Sequence, residues 1–257
     1  MRADVFLVSF EFSKSRESAR RSIEAGLVTI DGKLINKPSE KVDETIDHDV
    51  RCESTIPYVG RGGMKLEAAL DAFNIDPTGK VCIDIGASTG GFTDCLIRRG
   101  ASRVYAVDSG HGQLAEELLS NSKVISVEGM NARFLSREII PEIADMIVMD
   151  VSFISQTLII PRFNNLLSEN GIAVTLIKPQ FECGREAVGK GGIVKKPEHR
   201  LSAIRRVFAC ARECGIYPQA LIRSPIVGGD GNVEFLALFT RNVTESDEKL
   251  FANLNIY

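Results

Sequence analysis

The chain has 257 residues, 44% of them hydrophobic and 25% charged, which excludes a disordered, collagen-like or repetitive protein. That length holds one large domain, or one medium domain with a small companion. Lys and Arg total 31 against 34 Asp and Glu, for a net charge of −3, which excludes a uniformly basic nucleic-acid binder but not a local basic patch.

In chain order, residues 15–25 read as a helix. Ser15 offers an N-cap, with Ser18 as a rival. Ala19, Ile23 and Leu27 recur at i, i+4 and i+8 on one face, and Gly26 stands where a glycine ends a helix. Residues 27–30 read as a strand, Asp31-Gly32 as a two-residue hairpin turn, and 33–35 as the returning strand. This small unit closes near residue 51. Residues 52–60, interrupted by Pro57 and Gly60, read as a linker. A helix over 63–73 follows, and then strands and helices alternate. The apolar runs 81–85, 104–107, 124–127, 146–149, 172–177, 220–222 and 235–239 read as strands; 91–99, 113–120, 155–167 and 198–214 read as helices. Such alternation predicts an α/β domain with a mainly parallel sheet covered on both faces. Residues 242–257 read as a tail or a short terminal helix. The expected division is therefore 1–51, a 52–60 linker, 61–241, and a 242–257 tail.

The six cysteines form no C-x-x-C pair, so free thiols in a reducing compartment are expected, with no metal site. No run approaches the ~18 apolar residues of a membrane span. Residues 1–10 carry Arg2 and Asp4 without a signal-peptide core. A cytoplasmic location without membrane contact is expected.

The richest local motif is Asp84-Ile85-Gly86-Ala87-Ser88-Thr89-Gly90-Gly91-Phe92, which follows a strand and opens a helix. Glycines there permit a tight turn and close approach of a ligand to the backbone. A dinucleotide site prefers G-x-G-x-x-G, whereas this chain has an acidic residue before a G-x-x-x-G-G spacing. An acidic side chain at a strand end repels a pyrophosphate and suits a cationic amino group, such as that of S-adenosylmethionine. Asp108 follows the next strand, where a carboxylate can hold both ribose hydroxyls of a nucleoside. Asn131 follows the third strand and could meet the adenine. A plain strand–helix connection and an NAD site are the alternatives.

Four charged residues sit at the edges of elements: Lys65 near a helix start, Asp150 and Lys178 directly after apolar strands, and Glu234 entering the last strand. In an open α/β sheet ligands bind beyond the carboxyl ends of the strands, so Asp150 and Lys178 are aimed at the crevice of Asp84 and Asp108. Two lysines and two carboxylates can form an alternating network. A hydroxyl nucleophile must lose its proton as it attacks, and a lysine in a dry pocket beside another cation can serve as base. Ordinary surface ion pairs are the alternative reading.

On these motifs the chain resembles the TlyA (hemolysin A) family of ribosomal RNA ribose methyltransferases. The matching stretches are 84–92, Asp150-Val151-Ser152-Phe153-Ile154-Ser155, Ile177-Lys178-Pro179-Gln180-Phe181-Glu182, Gly189-Lys190-Gly191-Gly192-Ile193-Val194 and Gly231-Asn232-Val233-Glu234-Phe235. Arg2-x-Asp4, Ser15-Arg16-Glu17 and Ala25-Gly26-Leu27-Val28 resemble its RNA-binding module. The resemblance covers about residues 2–240. It implies a small α+β S-four-type RNA-binding domain joined to a Rossmann-like, FtsJ-like methyltransferase domain whose last strand is antiparallel. It implies S-adenosylmethionine as donor, a ribose 2′-hydroxyl of ribosomal RNA as acceptor, and a catalytic Lys65, Asp150, Lys178 and Glu234. Asp84, Gly86, Ala87, Ser88, Thr89, Gly90, Gly91, Phe92, Asp108, Asn131 and Asp150 are the expected cofactor-binding residues. Two positions depart from the family pattern: Gly60 stands where serine is common, and Gly129-Met130 precedes Asn131 where threonine is usual.

An RNA partner needs positive charge. Residues 183–212 hold eight basic side chains against Glu186 and Glu198, a local net of +6. Within residues 14–37 of the first unit Lys14, Arg16, Arg20, Arg21, Lys33 and Lys37 stand against Glu17, Glu24 and Asp31, a net of +3 over that stretch. Arg16, Arg20, Arg21, Lys33, Arg61, Arg185, Lys190 and Lys195 are the expected RNA contacts, and phosphate contacts of this kind are salt-dependent. A catalytically silent RNA-binding or ribosome-assembly factor is the alternative function, and a membrane-active hemolysin a third.

Overall fold

A computed structural model describes residues 1–13, 15–24, 26–52, 58–228, 231–243, 246–252 and 254. Lys14, Ala25, the linker residues 53–57 with Pro57, and the end of the expected tail lie outside the described residues.

The first unit packs helices α1 (Ala3–Ser9) and α2 (Arg16–Glu24) against an antiparallel sheet. Its strands β1 (Val28–Ile30), β2 (Lys33–Leu34) and β3 (Val50–Cys52) lie in the order β2-β1-β3. Ser15 Oγ caps α2 by accepting from the Ser18 amide at 3.1 Å. Gly26, at φ +73°, ends it, with its N–H donating to the Ile23 carbonyl and that of Leu27 to Ser22, the Schellman pattern. Asp31 and Gly32 both take positive φ, 52° and 75°, the turn a two-residue hairpin needs. The sequence reading missed α1, which has no side-chain cap. Tertiary contact holds it instead: Ala3, Phe6 and Leu7 pack with Ala19, Ile23, Val28 and Ile30. Asp4 on α1 is fully buried between Arg2 at 2.8 Å and Arg16 at 3.1 Å. Its hydrogen bond from Arg2, seconded by Arg16, outweighs desolvation and holds the carboxyl down at about 2.

The larger sheet has seven strands: β4 (Val81–Ile85), β5 (Arg103–Val107), β6 (Val124–Val127), β7 (Ala144–Met149), β8 (Leu167–Ile177), β9 (Tyr217–Arg223) and β10 (Phe235–Thr240). Their order is β6-β5-β4-β7-β8-β10-β9. Strands β4 to β8 pair in parallel, and β10 alone runs antiparallel to its neighbours β8 and β9. Successive side chains on a strand point to opposite faces. On β7, Met146 and Val148 pack with Leu66 and Leu70 of α3 (Gly62–Ala72) and with Phe92 and Leu96 of α4 (Gly91–Arg98). Ile147 and Met149 pack on the other face with Phe163 of α6 (Phe163–Leu166) and with Ile204 and Phe208 of α8 (Pro197–Glu213). Burying a side chain of this size contributes roughly 1.5–3 kcal/mol, so both helical layers are held by the same strands. The strand order turns back at β4, between β5 and β7, and the crevice at such a switch point is where doubly wound sheets bind ligands.

Two segments differ from their sequence reading. Residues 113–120 shorten to α5 (Glu116–Leu119). Residues 155–167 break into 3-10 turns at Gln156–Leu158 and Ile160–Arg162 followed by α6, because Pro161 lacks the N–H a continuous helix needs. The tail contains α9 (Glu248–Ala252), whose Phe251 stacks on Phe208 at 5.9 Å. A last short helix, α7 (Pro179–Glu182), follows β8.

Candidate active site

The turn after β4 is built from backbone that few residues tolerate. Gly86 has φ +86°, and a Cβ there would lie 2.3 Å from the Asp150 carbonyl oxygen. Ser88, a non-glycine residue, is held at φ +49°, and its N–H donates to Asp108 Oδ2 at 2.8 Å. Gly110 N–H donates to Asp108 Oδ1 at 2.7 Å. Each carboxylate oxygen has a second lone-pair site for a ligand hydroxyl. Asp84, on β4 itself, is fully buried. Its Oδ2 accepts from Thr93 Oγ1 at 2.7 Å, while Oδ1 has no hydrogen-bond partner among the described residues. Desolvation pushes this carboxyl up to about 7 against the Thr93 bond, with Asp150 and Asp108 adding repulsion.

Two clefts adjoin at this edge of the sheet. The first, about 440 Å³, is lined by Gly86, Ser88, Asp108, Asn131 and Asp150 with apolar walls from Met130 and Ile154. Asn131 Oδ1 caps the following 3-10 turn by accepting from the Arg133 amide. The second, about 350 Å³, is strongly polar and lined by Arg61, Lys65, Asp150, Lys178 and Glu234. Gly86, Ser88, Asp150 and Ser152 line both. Ala87, Thr89, Gly91 and Phe92, expected on the cofactor, face the second cleft instead. Gly90 lines neither; its φ of +96° and a Cβ position 2.2 Å from Leu118 Cδ1 make it a turn residue. Gly60 is likewise confined, its Cβ position 2.7 Å from Thr89 Oγ1.

The four charged residues come together as two pairs. Lys65 Nζ lies 2.5 Å from Glu234 Oε2, with side chains 9% and 3% exposed. Lys178 Nζ lies 2.7 Å from Asp150 Oδ1 and donates to Ser152 Oγ at 2.8 Å. Ser152 was missed by sequence reasoning, since a serine after a strand carries no signal of its own. Glu182 and Asn232 were missed too. Asn232 is buried; it accepts from the Val194 amide and donates to the Gly192 carbonyl, pinning the 189–194 turn beside Glu234.

The expected RNA contacts are dispersed. Arg16 and Arg20 are exposed on α2, Arg16 also reaching Asp4. Arg21 pairs with Glu17 and Lys33 with Glu40, each at 2.6 Å. Arg61 precedes α3 at the second cleft. Lys190 and Lys195 are exposed, and Arg185 lies in a 3-10 turn with its side chain outside the described set. Several basic side chains of the +6 patch of residues 183–212 are engaged within the chain, and one of them, Arg212, is ion-paired. Arg200 donates to the Val194 carbonyl, Arg206 to the Glu182 carbonyl, Arg212 pairs with Asp247, and Arg205 lies over the Phe251 ring. Among the described residues no group of three or more His, Cys, Asp or Glu could hold a metal ion, and no helix is long and apolar enough to cross a membrane.

A seven-stranded sheet with one antiparallel strand, an acidic residue before a glycine-rich turn at the switch point, and paired lysines and carboxylates beside it define a methyltransferase-type domain. The chain belongs to the FtsJ-like methyltransferase family, whose model matches residues 58–241, and an S4 domain matches residues 1–45. It is 41% identical over 251 residues to the 16S/23S rRNA (cytidine-2′-O)-methyltransferase TlyA of Mycobacterium tuberculosis, covering 98% of this chain and 92% of that one. It is 41% identical over 240 residues to hemolysin A of Brachyspira hyodysenteriae, covering 93% and 99%. A solved structure from Streptococcus thermophilus, named a putative hemolysin, superposes with a TM-score of 0.75 at 38% identity, over 98% of this chain and 94% of that one.

Proposed function

We propose that this protein transfers the methyl group of S-adenosylmethionine to ribose 2′-hydroxyls of ribosomal RNA. The observation that carries the proposal is the junction of two clefts at Asp150. One is lined by the Asp108 carboxylate, with the buried Asp84 and its unpartnered Oδ1 next in sequence to the Ile85–Gly86 wall; the other is lined by two lysine–carboxylate pairs. The cytidine 2′-O-methylation for which the Mycobacterium tuberculosis relative is named supports the same acceptor.

The cleft suits this cofactor. Asp108 can take the ribose hydroxyls and Asn131 the adenine side, while the buried Asp84 carboxylate, which lines neither cleft, would act on the cationic amino group through its charge. Bound there, S-adenosylmethionine supplies an electrophilic methyl on a sulfonium. Catalysis then rests on alignment and on removal of the hydroxyl proton. Lys178, oriented by Asp150 and Ser152, stands where it acts as base or stabilises the developing alkoxide. Lys65 and Glu234 position the ribose. Arg16, Arg20, Arg21, Lys33, Arg61, Arg185, Lys190 and Lys195 contact phosphates. In this reading residues 1–51 bind RNA, 52–60 link, 61–241 catalyse and 242–257 form a C-terminal tail, in a cytoplasmic protein.

The test is transfer of labelled methyl to unmodified ribosomal subunits and free ribosomal RNA. Ribose label is expected with the wild type. Lys178→Ala is expected to lose ~100-fold or more of the rate with cofactor affinity changed only a few-fold. A near-normal rate in Lys178→Ala would overturn the residue's role, and a wild type that binds the cofactor but labels no ribose would overturn the function.

A further inference from the structure

The Asp150–Lys178 pair joins two separate loops, one after β7 and one after β8, and its geometry depends on how those loops are held. The β7 loop is irregular, with Phe153 at φ +63° and 92% exposed, and its ties to the β8 loop include the Lys178–Ser152 hydrogen bond and the Phe153–Phe181 ring contact at 5.2 Å. Glu182 stands four residues after Lys178, at the end of α7, and is only 1% exposed. Its Oε2 accepts from Ser155 Oγ at 2.5 Å and its Oε1 from the Gln156 amide at 2.8 Å. Both donors belong to the β7 loop. Gln156 adds a third tie, its Nε2 donating to the Leu176 carbonyl at 2.6 Å. Two of these three bonds end on one carboxylate.

We infer that Glu182 is a positioning residue that locks the loop carrying Asp150 to the loop carrying Lys178, and thereby sets Lys178 at the junction of the two clefts. A buried carboxylate accepting two hydrogen bonds is a stiff connection, because releasing either donor leaves a buried polar group unsatisfied. Its cost is visible in the side chain itself: burial raises the Glu182 carboxyl above the ordinary range against both hydrogen bonds. On α8 the neighbouring Arg206 guanidinium donates to the Glu182 carbonyl rather than to its carboxylate, so the charge is met mainly by the β7 loop. Glu182 lines neither cleft. Its effect on transfer therefore runs through Lys178 and Asp150, where a misplacement of about 1 Å can cost on the order of a hundredfold in rate.

The catalytic part of this inference rests on the methyltransferase reading, and the test separates the two. The first readout needs no turnover: the rate at which an amine-acylating reagent labels Lys178 in the cofactor-free protein, followed by peptide mass spectrometry. In Glu182→Gln, which keeps the shape and loses the charge, Lys178 is expected to acylate several-fold faster while Lys65 is unchanged. The second readout is the kinetic split, with kcat lowered roughly tenfold or more and the RNA KM and cofactor Kd within about twofold. Ser155→Ala, which removes one donor only, is expected to show the same pattern at smaller size and decides the matter if Glu182→Gln does not fold. An unchanged Lys178 acylation rate in these variants would overturn the inference, whatever the wild type methylates. So would a kcat within about twofold of the wild type.

Discussion

Asp84→Asn tests the cofactor side of the site through stability alone. The folded chain holds the Asp84 proton up to about pH 7 because the carboxyl is fully buried with Oδ1 unpartnered, against an ordinary value of 3.8. A raised carboxyl binds its proton more tightly in the folded state, so stability falls as pH rises from about 4 to about 7 and is level above that. The full penalty is on the order of 4 kcal/mol. At pH 5 the linkage relation leaves roughly 1.5 kcal/mol of it, and at pH 8 nearly all. Asparagine does not titrate, and it places an unpaired amide where Oδ1 stood, at a cost of about 1–3 kcal/mol independent of pH. The difference between the variant's stability change at pH 8 and at pH 5 cancels that cost. Urea titrations at the two pH values should therefore show the variant gaining roughly 2–3 kcal/mol on the wild type between pH 5 and pH 8. S-adenosylmethionine should stabilise the wild type, as any ligand of the folded state does, and leave Asp84→Asn unmoved. An equal stability change at both pH values would refute the assignment of an uncompensated buried carboxyl.

Glu234→Ala leaves the Lys65 ammonium buried without its partner, and is expected to destabilise the chain by about 3–5 kcal/mol in the same titration; a loss below about 1 kcal/mol would mean the pair behaves as a surface contact. The paired change Lys65→Met with Glu234→Gln should recover most of that stability and none of the methyl transfer. Gly86→Ala puts a methyl group against the Asp150 carbonyl in a left-handed backbone. It should weaken cofactor binding measured by calorimetry and destabilise by about 1–3 kcal/mol; unchanged affinity would show that the turn relaxes freely.

Much of the molecule was legible in the chain because its signals are local. A β-strand announces itself by an apolar run, and β4 lies on its expected residues, 81–85. The hairpin at Asp31-Gly32 and the glycine that ends α2 are set by backbone energetics within a few residues. The four charged residues were found because each stands directly at the edge of an element whose end faces the switch-point crevice.

What the sequence by itself determined, then, was every strand but β3, most of the helices and the identity of the paired residues. Tertiary structure decided the rest. It placed α1, which lacks a capping side chain and depends on packing against α2 and β1. It divided the glycine-rich motif between two clefts, since only the pairing of β4 with β5 and β7 determines which side of the turn faces which. It resolved two lysines and two carboxylates into Lys65–Glu234 and Lys178–Asp150, a choice between partners 169 and 28 positions apart. It also brought Glu182 against Ser155 and Gln156 of the loop after β7. A carboxylate's partners are fixed by distances of a few ångströms between loops from different strands, and no periodicity along the chain encodes such distances.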